Sequence, residues 1–91
     1  KTDNQRRRLL TITVANQEKI QDAIQSALDQ FCSEIDMITI NSTNAGDNLS
    51  IVYEVELKTE ADDFQVTSYL TQNIDQCDVV LTKKAKKRKN L

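Results

Sequence analysis

The chain has 91 residues, 38% hydrophobic and 29% charged, with a net charge of −2. That length makes one domain, which buries roughly 60–65% of the surface its unfolded chain exposes. Histidine is absent and the two cysteines lack metal-ligand spacing, which removes His-based acid–base catalysis, Ser-His and Cys-His nucleophiles and most zinc sites.

Residues 9–14, LLTITV, alternate with period two. Leu10, Ile12 and Val14 fall on one face and Thr11 and Thr13 on the other, the pattern of a half-buried strand. Asn16 then reads as the N-cap of a helix whose apolar stripe is Ile20, Ala23, Ile24, Ala27, Leu28 and Phe31. Residues 36–43, DMITINST, read as a short second strand with Ile38 and Ile40 inward. A turn at 44–48 follows, where Gly46, the only glycine, is expected at positive φ. Residues 49–58 give a third strand with Leu49, Ile51, Tyr53, Val55 and Leu57 on one face. Thr59 with Asp62 three residues on resembles a capping box, predicting a helix over 60–73 that buries Phe64, Val66, Tyr69 and Leu70. A last strand, 77–83, places Cys77, Val79 and Leu81 inward.

The order βαββαβ predicts an α+β, ferredoxin-like fold: a four-stranded antiparallel sheet in order 4-1-3-2 with two helices on one face. The expected organisation is a basic N-terminal segment 1–8, a domain over 9–82 and a basic tail 83–91. Charge follows the same division. Residues 1–8 hold four of the twelve basic residues and residues 83–91 hold six, while residues 9–82 hold two basic and thirteen acidic residues, a net of −11. In this topology the first strand begins where the last one ends. Arg6, Arg7 and Arg8 are therefore expected beside Lys83, Lys84, Lys86, Lys87, Arg88 and Lys89, as one basic pole.

Such a pole suits an anionic lipid surface, which attracts Lys and Arg at about 1 kcal/mol each near the surface. It also suits phosphate, and this topology is shared with RNA-binding modules. Those modules carry aromatics on the open sheet face. Here that face offers Thr11, Thr13, Thr39, Asn41, Val52, Glu54, Glu56, Val80 and Thr82, which disfavours nucleic acid. The bland alternative is a solvated charged end. Scattered carboxylates without EF-hand spacing read as an acidic surface, and no metal or cofactor is expected. A small acylphosphatase-like hydrolase would share the topology, but the anion-cradling Gly-rich loop it needs is missing. The protein is expected not to be an enzyme. Cys32 and Cys77 are expected as free thiols at opposite poles.

The phrases LLTITV, INSTNAG and LSIVYEVELKTEADDF resemble the ACT-like C-terminal cytoplasmic domain of a group of bacterial integral membrane proteins, with a layout similar to the MgtC/SapB type. The resemblance spans about residues 6–82. It implies a regulatory or assembly domain on the cytoplasmic side of the plasma membrane, part of a membrane-protein parent chain. The first residue, Lys1, fits a fragment or processed product. One departure is the turn Val14-Ala15-Asn16-Gln17, which has neither the Gly nor the Pro usual where amino acids bind such domains. A homodimer through a sheet edge or the open face is a further expectation.

Overall fold

The structure, a computed structural model, describes residues 6–83. Its elements are β1 (Arg7–Ala15), α1 (Ile20–Asp29), β2 (Cys32–Thr43), β3 (Asn48–Leu57), α2 (Asp63–Asn73) and β4 (Asp78–Lys83), with a 3-10 turn at Asn44–Gly46. The strands form one antiparallel sheet in order β2-β3-β1-β4. This is the ferredoxin-like arrangement that the alternation of periods two and 3.6 predicts.

The two central strands set the core. Leu10, Ile12 and Val14 of β1 and Ile51, Tyr53, Val55 and Leu57 of β3 are buried on one face. Against them pack Ile20, Ile24, Ala27 and Leu28 of α1 and Val66 and Leu70 of α2. Tyr53 is enclosed, which raises its hydroxyl pKa. Tyr69 stays at the margin, where its ring meets Phe31 edge-on and its hydroxyl accepts a hydrogen bond from Gln30 Nε2 at 2.8 Å. Cys32 and Cys77 are both free and buried. They lie at opposite ends of the sheet, since Cys32 pairs with Leu57 near Arg7 while Cys77 precedes Asp78, the partner of Thr13.

Several local expectations are corrected. The second strand is the longest in the sheet, with 12 residues rather than a short run from Asp36. Ile38 and Ile40 are not buried in the core and are 53% and 39% exposed. Ile38 falls in a register break between Met37 and Thr39, so the alternation slips there by one residue. Ile40 does share a face with Ile51, but it lies on the edge strand, beyond the cover of the helices. Phe64 is 78% exposed, because α2 turns its Val66–Leu70 side inward. Ala23 is also exposed.

Helix starts differ as well. α2 is capped by Asp62, whose carboxylate accepts from Gln65 N at 2.8 Å while Gln65 Oε1 accepts from Asp62 N at 3.1 Å. This complete capping box displaces Thr59 from the role. α1 starts after Lys19, which has φ +65 and gives no side-chain cap. Asn16 instead braces the end of β1 against the β2–β3 turn, donating from its backbone N to Asp47 O at 2.8 Å and from Nδ2 to Gly46 O at 2.9 Å. Gly46 has φ +92, as its position in the turn predicts, with Asn44 and Ala45 also at positive φ.

Candidate functional site

The sequence points to the pole where β1 begins and β4 ends. Arg8 and Lys83 are cross-strand partners there, so the two basic runs do start from neighbouring strands. Arg6, Arg7, Arg8 and Lys83 lie within the described residues. Lys84, Lys86, Lys87, Arg88 and Lys89 lie outside them.

The three arginines turn inward onto the protein. Arg7 stands on the open face of the sheet, opposite Glu56. Its Nη1 donates to Glu34 Oε1 at 2.8 Å and to Glu56 Oε1 at 3.1 Å, while Nη2 and Nε reach Glu54 Oε2 at 3.1 and 3.3 Å. One guanidinium therefore joins β1 to both β2 and β3. Its side chain is only 14% exposed. The hydrogen bond to Glu34 holds its pKa above the ordinary value against the opposing effect of burial, with Glu54 and Glu56 adding to the rise. Charge-assisted contacts of this kind are the stronger class of hydrogen bond.

Arg8 points to the helix side, where its Nε donates to Asp63 Oδ1 at 2.7 Å, in the first turn of α2. Its Nη1 donates to the Arg7 carbonyl at 3.0 Å. Arg6 Nη1 donates to the Lys58 carbonyl at 3.2 Å, in the segment leading to α2. Consecutive arginines thus reach opposite faces of the sheet, as the period of a strand requires. Lys83 is exposed.

The start of β1 does lie beside the end of β4, but the pairing of Arg7 and Arg8 with carboxylates was not expected from the sequence. The signal lay in the register: Glu54 and Glu56 alternate on the strand beside Arg7, and an acid-bearing face beside a basic one calls for cross-strand pairing.

The rest of the open face is Thr-rich and uncovered by the helices. Its centre is the row Thr39, Val52, Thr11 and Val80, and Val80 is exposed. No described residue on this face is aromatic. Near the β1–α1 turn there is an open depression lined by Asn16, Gln17, Lys19, Ile20, Asp22 and Leu49. Among the described residues, no three His, Cys, Asp or Glu side chains are placed to hold a metal ion. None of the described helices is long and apolar enough to cross a membrane.

No family model matches the chain, and no curated protein matches its sequence. Among solved structures it is similar to a formyltetrahydrofolate deformylase from Pseudomonas putida KT2440, with a TM-score of 0.61 at 13% identity. The match covers 84% of this chain and 28% of that one, so this chain spans well under a third of that protein's length. At this identity the likeness shows the fold alone. It supports the ferredoxin-like class.

Proposed function

We propose that this chain is a non-catalytic regulatory or assembly domain of ACT-like kind, on the cytoplasmic side of a bacterial plasma membrane, in a membrane-protein parent. Its basic pole faces anionic lipid. The observation that carries this reading is the Arg8–Lys83 pairing, which sets the end of the N-terminal basic run beside the start of the C-terminal one. Arg7 is held by Glu34, Glu54 and Glu56, Arg8 by Asp63, and Arg6 by the Lys58 carbonyl, so the lipid contact falls chiefly to Lys83 and the basic residues that follow it in the sequence. Each contributes about 1 kcal/mol near an anionic surface. The carboxylates elsewhere on the body are repelled by the same surface, which orients the domain.

A nucleic-acid-binding module would use the same pole. Glu34, Glu54 and Glu56 share the single guanidinium of Arg7, so this part of the open face stays net negative and repels phosphate, which weighs against it.

Sedimentation with vesicles tests the proposal. Binding to vesicles rich in phosphatidylserine, absent with phosphatidylcholine alone and weakened by salt, is the expected result. Equal, weak binding to both vesicle types would rule out lipid contact.

A further inference from the structure

Phe64 is 78% exposed, more than Met37, Ile38, Ile40 or Val80, the other large apolar residues at the described surface. It lies in the first turn of α2. Helical spacing puts it on the flank shared with Thr67 and Thr71, turned away from Tyr69. Tyr69 is the side of α2 that meets α1, through Phe31 and Gln30. Phe64 therefore stands on the other side of the helix, toward the edge of the sheet formed by β4.

Lys83 occupies the same corner. Arg8 reaches the helix side to donate to Asp63, the residue before Phe64, and Lys83 is the cross-strand partner of Arg8. Directly opposed residues share a side of a sheet, so Lys83 also lies on the helix side, beside the start of α2. It is exposed. The carboxylates near Phe64 are engaged within their own segment. Asp63 accepts from Arg8 Nε at 2.7 Å, Asp62 from Gln65 N at 2.8 Å, and Glu60 from Thr59 Oγ1 at 3.1 Å.

We infer that Phe64 is an anchor that enters the interfacial layer of an anionic bilayer, while Lys83 and the basic residues after it in the sequence meet the headgroups. This rests on the lipid reading above and adds a second attachment to it. Charge draws the domain to the surface, and the ring, which has no cover on the protein, is buried there. One weak signal gives marginal membrane attachment, and two together give a stable one. The long stem of a lysine lets its ammonium stay among headgroups while an apolar neighbour goes deeper. The pairing also sets how the domain is turned about its pole. The α2–β4 corner faces the bilayer, and Glu34, on the opposite edge strand β2, is kept farthest from it.

The chain has no tryptophan, so Phe64→Trp places a single indole at this position. With vesicles rich in phosphatidylserine its emission is expected to shift to the blue and to be quenched by brominated acyl chains. Phosphatidylcholine vesicles alone should do neither. In sedimentation, Phe64→Ser should bind the anionic vesicles about tenfold more weakly than the parent, with the same circular dichroism, because the position is exposed. Val80→Ser, at an exposed apolar residue on the open face, should bind as the parent does. If the parent sediments with anionic vesicles but the indole neither shifts nor is quenched, or if Phe64→Ser binds undiminished, the inference is overturned and the lipid reading stands. An equal loss from Val80→Ser and Phe64→Ser overturns it as well. A parent chain that does not sediment with anionic vesicles removes both.

Discussion

At Arg7, substitution by Met would strip the guanidinium from between Glu34, Glu54 and Glu56 and leave like charges facing each other on a partly covered surface. A loss of about 1–3 kcal/mol in urea unfolding is expected. Adding Glu54→Gln to that variant should recover part of it, because one of the opposed charges is gone. An equal loss in single and double variants would mean that Arg7 acts through packing alone. Cys32 offers a pH test of burial. Desolvation, with Asp29 adding and Lys58 opposing, pushes its thiol up to about 11. The folded state therefore favours the neutral thiol. That stabilisation is complete below the ordinary thiol range, about 8.5, and is lost as pH rises from there through 11. The buried Cys77 and Tyr53 act with the same sign. Urea midpoints should fall steadily above pH 9, and Cys32→Ala should make that fall shallower.

Among the elements, β1 and β3 were legible from sequence because each is covered by helices on one face only, so their side chains obey a strict period of two. β2 begins four residues earlier than expected, and the inward placing of Ile38 and Ile40 failed for two physical reasons. An edge strand beyond the helices need not bury its apolar residues, and the slip at Ile38 breaks the period. The start of α2 was misplaced because two capping patterns overlap: Thr59 with Asp62, and Asp62 with Gln65. The second has the N3 amide that the box requires, and it is the one formed. Asp62→Ala should cost about 1 kcal/mol by loss of the cap. Thr59→Ala should change stability by less than about 0.5 kcal/mol, as for an ordinary surface site. Comparable losses from the two would contradict the assignment of the cap.

For the whole molecule, topology made the pole legible: strand order alone brings the residues around Arg8 next to Lys83. The division of labour within the pole was not legible, because it depends on the register that sets Glu34, Glu54 and Glu56 around Arg7. Arg7 and Arg8 tie β1 to β2, β3 and α2, and on the proposed reading the charge offered to lipid begins at Lys83. This separation is the central proposal. Its most direct test is binding to phosphatidylserine vesicles by the full chain and by a version ending at Lys83, which keeps every described strand. The shorter chain is expected to stay folded and to bind more than about tenfold more weakly, since five basic residues are removed. Undiminished binding by the shorter chain would contradict it and return the contact to the arginines.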